Sequence, residues 1–533
     1  MSLIRAHAAL CAVLFALSPL ALAASESDAP AESEVREALP DTPDKAPAVR
    51  SSVTVSAPPE GYAASGTTTA TKTETPLKEI PQSLTVIPRQ LIRDQAMTTV
   101  ADALRYVPGV SMHQGEGNRD QVVLRGNSSS ADFFLDGVRD DVQYFRDLYN
   151  LERVEALRGP NAMIFGRGGG GGVVNRVTKT AGFTPLREAD VQAGSYGDIR
   201  ATADVNQPLS RTFAFRLNGV FEDSDSFRDG VGLRRWGVAP SLTLLASDAT
   251  TATLSFERFH DGRTADRGIT SWNGRPADVP VSTYYGNPDD SPVRADVSLA
   301  SLTVEHDFGG ATLRNRTLFG DYDRAYQNYV PGAATADMAS VALSAYNNAT
   351  ERRNLLSQTD LVTTLATGAV KHRILGGAEI GRQVTDNFRN TGYFDGSATS
   401  VLVPFGDPRT TVPVTFRQSA TDADNHVVAD VLALYVQDQV DLSRTLQLVA
   451  GFRYDRFDLD YRNERDGSEL SRADDLLSPR AGLVFTPLSP LSFYGSWSVS
   501  WLPASGDQFA SLTDVTKQLE PEKFTNWEAG AKW

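Results

Sequence analysis

From Gly182 onward the chain alternates between apolar and polar residues with a period of two, and that alternation limits what it can fold into. Phe213, Phe215, Leu217 and Phe221 fall on one face of an extended segment; Ala214, Arg216 and Asn218 fall on the other. Leu432, Leu434 and Val436 oppose Tyr435 and Gln437 in the same way. Phe493, Trp497, Val499 and Trp501 oppose Ser492, Tyr494, Ser496, Ser498 and Ser500. Successive side chains of a strand point to opposite faces, so each segment carries one greasy face and one polar face. A water-soluble sandwich would alternate too, and the connections separate the two cases. Short turns at Gln207-Pro208-Leu209-Ser210, Ser247-Asp248-Ala249 and 487–490 alternate with long polar excursions over 262–294, 330–351, 390–425 and 463–475. Short turns at one rim and long loops at the other mark a transmembrane antiparallel β-barrel of the outer-membrane type. About 14 strands, in seven hairpins, are expected over 182–533.

Bulk composition is compatible with this. The 533 residues are 41% hydrophobic and 22% charged, with a mean hydropathy of -0.27. A spanning barrel keeps its mean hydropathy low because lipid-facing and lumen-facing residues alternate. Past the N-terminus no stretch reaches the roughly 20 apolar residues of a membrane helix. A net charge of -15 argues against nucleic acid as a partner. Cys11, the single cysteine, lies in a segment expected to be removed, so no disulfide or thiolate metal site is expected. The six histidines are scattered without metal-ligand spacing, and neither a nucleophile elbow nor a zincin motif appears. No enzyme and no protein-held metal are expected.

Ahead of the strands the chain changes character several times. Residues 1–24 read as a secretory signal, with Arg5, an apolar run and a small-x-small site at Ala21-Leu22-Ala23. Residues 25–76 are rich in Ala, Ser, Thr, Pro and Glu, as expected of a disordered tether. One island, Ser52, Val53, Thr54, Val55, Ser56 and Ala57, alternates valine with hydroxyl residues; it is either a strand for a partner's sheet edge or a chance β-prone patch. Residues 77–181 mix short strands and helix in a compact α+β unit. Thr98, with Thr99 as its rival, is the expected cap of a helix that halts at Pro108-Gly109. The glycine run Gly168 to Gly172 supplies turn geometry; no Gly-Lys-Ser/Thr follows it, so it is no phosphate loop.

The order of several short motifs then resembles one family. Pro81-Gln82-Ser83-Leu84-Thr85-Val86, Leu124-Arg125-Gly126, Phe134-Leu135-Asp136-Gly137, Leu157-Arg158-Gly159-Pro160, Phe165-Gly166-Arg167-Gly168 and Gly172-Val173-Val174-Asn175 are similar to the plug of TonB-dependent outer-membrane receptors, in particular the ferric-siderophore group. Leu519-Glu520-Pro521-Glu522 followed by Asn526-Trp527-Glu528-Ala529-Gly530 resembles a barrel motif of the same family.

The resemblance implies a plug over 77–181 inside the barrel lumen, a TonB box near 52–57 grasped by periplasmic TonB, and active import of a ferric siderophore across the outer membrane. Iron is carried within that ligand, so no cofactor is implied. A monomer embedded in outer-membrane lipid is expected, with ferric catecholate the slightly preferred cargo. Family barrels have 22 strands, so a C-terminally truncated chain is expected. Ligand contacts are expected from Arg119, Ser129, Tyr144 and Arg146 on plug segments 116–120, 127–131 and 140–147; a solvated or plug–barrel salt bridge is the alternative for each arginine. Trp272, Tyr284, Tyr285, Tyr326 and Tyr329 are expected either to contact ligand or to anchor loops at the membrane interface. Arg125 and Arg158 are expected to tie the plug to the barrel, with Glu528 as partner. The competing readings are a passive porin-like channel and a receptor of the same fold for cobalamin, haem or a glycan.

Overall fold

The computed structural model describes residues 61–506 and 508–533. The expected signal segment and the expected TonB box near 52–57 lie outside the described residues. Fourteen strands follow one another in sequence order, each antiparallel to the next, from Leu186–Ala193 to Glu522–Lys532. Two short strands, Val401–Pro404 and Val414–Arg417, extend the sheet beside Ser340–Thr367 and Val370–Phe394. The strand count agrees with the alternation.

Two expected loops are corrected. Ala311–Ala334, Ser340–Thr367 and Val370–Phe394 run for 24, 28 and 25 residues, so most of 330–351 is ladder and only 335–339 turns. Likewise strand resumes at Glu469 after Asn463, leaving a short turn within 463–475. A tilted strand crosses a bilayer in about 9–11 residues. These three strands therefore rise far above the membrane and form an outer wall.

The burial pattern is inverted relative to a soluble sheet. Leu432, Leu434 and Val436 are 49%, 56% and 36% exposed, while Tyr435 and Gln437 on the opposite face are buried. Phe319, Leu355, Ile380, Leu483 and Phe485 are exposed in the same band. In water such a band would be a liability; in lipid it is the stable arrangement, because the ladder satisfies the backbone and the side chains match the solvent. Cross-strand ion pairs bound the band on the long-loop side: Asp321–Arg353 at 3.3 Å, Arg382–Asp430 at 3.7 Å and Arg456–Asp475 at 3.0 Å. No described helix is long and apolar enough to cross a membrane.

The plug lies against the inward face. Its main sheet has the order Leu84–Pro88, Leu151–Arg158, Gly172–Thr178, Phe133–Leu135, Val138–Arg139. A second sheet joins Val110–Gly115, Arg119–Leu124 and Asn127–Ser129. Val100, Leu104, Val122, Leu124, Phe133, Val154 and Val174 form the core between them. The helix cap is Thr99, not Thr98: Thr99 and Asp102 make a reciprocal capping box, and the helix ends at Leu104. Gly171 is required by close approach, since a Cβ there would stand 2.3 Å from the Leu124 carbonyl oxygen.

The tether boundary is also corrected, because part of the segment assigned to disorder is folded. Gly66–Thr67 pairs with Thr75–Pro76, and Ala70, Thr71 and Thr73 are buried. Lys72 donates to Asp360 at 3.3 Å and to Tyr435 at 3.0 Å on the barrel wall. A threonine-rich stretch has little apolar period, but its hydroxyls and carbonyls find partners in the polar lumen.

Replacing Leu434 by arginine at the middle of the lipid band is expected to lower unfolding free energy by about 2–4 kcal/mol. Denaturant titration in lipid vesicles checks this; an unchanged midpoint would contradict a lipid-facing Leu434.

Candidate functional site

The outward tip of the plug is the hairpin of Val110–Gly115 and Arg119–Leu124. Its turn, Glu116-Gly117-Asn118, has φ of 52° at Glu116 and 72° at Gly117. Glycine is needed at the second position twice over: the φ is left-handed, and a Cβ would stand 2.3 Å from the Asp266 carbonyl oxygen. The loop following Thr250–Thr264 therefore rests directly on the tip.

Glu116 gathers groups from three parts of the chain. Its carboxylate accepts hydrogen bonds from Tyr326 at 3.1 Å, from Tyr346 and from Arg119, with Arg267 at 3.9 Å. Tyr326 and Tyr346 stand on adjacent wall strands, their rings edge to face at 5.9 Å. The Arg324 guanidinium lies 5.0 Å from the Tyr326 ring centre, and that of Arg389 lies 3.9 Å from the Tyr346 ring centre. Burial pushes the Glu116 carboxyl up, but the Tyr346 hydroxyl, Arg119 and Arg267 outweigh burial and bring it down to about 2.

Of the plug residues expected to meet ligand, Arg119 belongs to this cluster. Ser129 is half-buried and its hydroxyl oxygen accepts from the Ala131 amide at 3.1 Å. Tyr144 and Arg146 require a correction, for both are buried and already partnered. Arg146 donates to Asp140 at 3.0 Å and to the carbonyl oxygens of Asp140, Val142 and Tyr144. Its guanidinium lies 4.3 Å from the ring centres of Phe133 and Tyr144. Tyr144 donates to Asp140 at 3.0 Å and packs on Phe259 and Tyr322 of the wall. The physical reason is Asp140: a carboxylate with a fully buried side chain demands cations and donors, and the neighbouring arginine and tyrosine supply them.

The loop aromatics are likewise packing elements. Tyr285 is buried with Val341, Leu343, Val403 and Phe405, and Trp272 rests partly buried on the same cluster. Tyr284 donates to the Ala265 carbonyl at 2.7 Å, and Tyr329 donates to Asp290 at 2.7 Å. They hold the loop layer together, and Tyr284, Tyr285 and Tyr329 present no open face. Tyr326 is buried as well, but its hydroxyl is aimed at Glu116.

The plug is fastened to the wall by ions. Arg125 donates to Glu528 at 2.7 Å, and Glu528 also accepts from the Ser83 amide and the Tyr494 hydroxyl. Arg158 does not join it; its guanidinium donates to the Pro108 carbonyl at 2.7 Å. The stronger fastening was missed from sequence and lies in one plug segment. Asp140 accepts from Tyr322 at 3.0 Å, Asp141 from Arg352 and Gln383 at 3.1 Å each, and Asp147 from Arg200 at 2.7 Å. Arg235 stands 3.1 Å from Asp147. The available signal was three aspartates in a short aromatic segment, matched by arginines on the polar face of wall strands.

A plug held by buried charge against the inward face of an apolar-out barrel defines a class, the plugged outer-membrane receptor. Residues 76–173 match the TonB-dependent receptor plug domain, and residues 235–533 match the TonB-dependent receptor-like β-barrel. The chain belongs to the TonB-dependent receptors and is an outer-membrane protein. It is 30% identical over 499 residues to the probable TonB-dependent receptor BfrD of Bordetella pertussis, covering 86% of this chain and 66% of that one. The probable TonB-dependent siderophore receptor PiuA of Acinetobacter baumannii is 27% identical over 86% of this chain and 66% of its own length. The PiuA crystal structure superposes with a TM-score of 0.80 at 25% identity, over 86% of this chain and 71% of that one. The closed form of the ferric-catecholate import receptor Fiu from Escherichia coli gives 0.78 at 25% identity, over 89% and 73%. The chain thus spans about two thirds of the length of the curated relatives it matches.

Two outcomes are expected. Asp141→Asn leaves Arg352 buried without its counter-charge and should cost about 3–5 kcal/mol in urea unfolding, with faster proteolysis of the plug. Wild-type stability and protection would remove Asp141 from the fastening. The Glu116 carboxyl is depressed, so its contribution is complete above the ordinary 4.5 and lost only as pH falls through about 2. Tyrosine difference spectra of wild type against Tyr346→Phe should therefore stay constant from pH 7 down to about 4; a titration step in that window would contradict the assignment.

Proposed function

We propose that this protein binds a ferric siderophore on its outward side and delivers it by active transport to the periplasm, the iron travelling inside the ligand. One observation carries the reading: the plug contacts the inward face from Arg200 near one end of the strand order to Glu528 at the other. Passive leakage of sugars or ions is incompatible with a face so filled, which disfavours a porin-like channel. Passage then requires work on the plug. The outer membrane stores no gradient, so the work comes from TonB, which adds the strand Ser52 to Ser56 to its own sheet. Arg119, Arg267, Tyr326 and Tyr346 supply the donors for an anionic, oxygen-rich chelate; arginine makes short, charge-assisted hydrogen bonds to such oxygens. The names of PiuA and Fiu support a siderophore as cargo, and that of Fiu supports a catecholate. The protein works as a monomer in lipid.

Removing residues 52–57 is expected to stop uptake of the ferric complex by whole cells while its binding persists. Uptake that survives the deletion would sink the coupling scheme. Calorimetry with ferric catecholate, ferric hydroxamate, haem and cobalamin tests the cargo, and preferred binding of either of the last two would overturn it.

A further inference from the structure

The Glu116 cluster holds more donors than its carboxylate uses. Arg119 and Arg267 both face Glu116, and the Nε of Arg119 and the Nη1 of Arg267 are buried without a hydrogen-bond partner. Neither polar side-chain atom of Asn118, two residues along the same turn, has a partner, and the residue is 2% exposed. Asn328 is in the same condition; it is fully buried and lies directly across the ladder from Tyr346. A buried polar group without a partner costs about 1–3 kcal/mol, so side chains left this way around one carboxylate point to a larger ligand with more oxygens. The Glu116 side chain itself is 28% exposed, so the cluster opens outward.

We propose that Glu116 is an internal competitor for the anion site: its carboxylate occupies the tyrosine and arginine donors that an anionic ferric chelate takes over by displacing it. This rests on the siderophore reading above and adds a selectivity rule. A chelate with several negative charges repels Glu116 and offers more oxygens to Arg119, Arg267, Tyr326 and Tyr346, so it displaces the carboxylate. A neutral ferric hydroxamate has no charge with which to compete. Glu116 belongs to the plug and its two tyrosines to the wall, so the same displacement unties the plug tip from the strands Ala311–Ala334 and Ser340–Thr367. Occupancy of the site is thereby converted into a looser plug. An internal competitor lowers apparent affinity by the fraction of time it holds the site, so removing it strengthens binding.

The test is calorimetric titration of the full chain and of Glu116→Ala and Glu116→Gln with two probes, a trianionic ferric tris-catecholate and a neutral ferric trihydroxamate. Glu116→Ala is expected to bind the trianion at least about tenfold more tightly, Glu116→Gln by a smaller factor, with no gain for the neutral probe. Arg119→Ala is expected to weaken the trianion. Binding by the Glu116 variants with none by wild type also supports the proposal, the competitor then being dominant. If wild type binds and Glu116→Ala binds equally or more weakly, the competitor role is overturned and the siderophore reading stands. If no form binds the trianion, both fall. A cooperative unfolding transition and a wild-type circular dichroism spectrum for Glu116→Gln and Glu116→Ala separate a lost competitor from a damaged fold, the midpoint itself being free to fall as the Glu116 bonds are lost.

Discussion

The structure depends on buried charge pairs between a small plug and a tall wall. Taking a carboxylate and a guanidinium out of water costs several kcal/mol per ion, and mutual attraction repays this only when geometry and hydrogen bonding are good. Asp147 illustrates the condition. It receives Arg200 and stands beside Arg235, and its own segment adds the backbone amides of Leu148 and Tyr149 at 2.7 and 2.9 Å. An apolar interface of similar area would hold at least as firmly and would be insensitive to small displacements. The ionic version weakens steeply once water enters. A plug that must stay in place and yet be movable is better served by fastenings of the second kind.

The lumen explains why the chain can place so many polar groups inside. Along Asp424–Asp441 the side chains of Val427, Ala429, Val431 and Ala433 give way to Tyr435, Gln437 and Gln439 on the same inward face. The upper part packs against the plug and loop core; the lower part binds the threonine-rich segment, with Gln437 donating to the Thr71 carbonyl at 3.0 Å. Lipid holds the outer face to a narrow choice of residues, whereas the inner face is free to be polar wherever the plug answers it.

Legibility in the sequence followed that division. Strand number, the short rim and the greasy face were readable because lipid imposes a strict period of two. The extended strands around 330–351 were not, since above the membrane Tyr326, Asn328 and Tyr346 can face a polar interior and the period no longer separates strand from loop. Tyr144 and Arg146 were misplaced for a related reason: an arginine near a tip looks the same whether it meets a ligand or neutralises Asp140. Glu116 was passed over because the hydroxyls that define it come from Tyr326 and Tyr346, more than 200 positions away in each case. Trp272 and Tyr285 are aromatic and loop-borne, as ligand contacts would be, and burial with Leu343 and Phe405 is what such residues do when a loop folds on itself.

The folded stretch from Gly66 to Pro76 fixes the order in which a pull from the N-terminal side is felt. Its ties to the rest of the molecule are separate and lie in series along the chain: Thr67 to Glu155, the Ala70 carbonyl to Arg480, the Thr71 carbonyl to Gln437, Lys72 to Asp360 and Thr73 to Gln439. Contacts in series break one at a time, most for the cost of one or two hydrogen bonds and Lys72 for its bonds to Gln358, Asp360 and Tyr435. Those of 140–147 act in parallel, because Asp140, Asp141 and Asp147 reach different wall strands from one short segment. Such contacts share a load and fail together. A modest force therefore strips the first stretch while the plug body stays seated. Moving the body requires that the load on its parallel ties first be reduced, and releasing the tip at Glu116 removes one plug–wall tie from the opposite end.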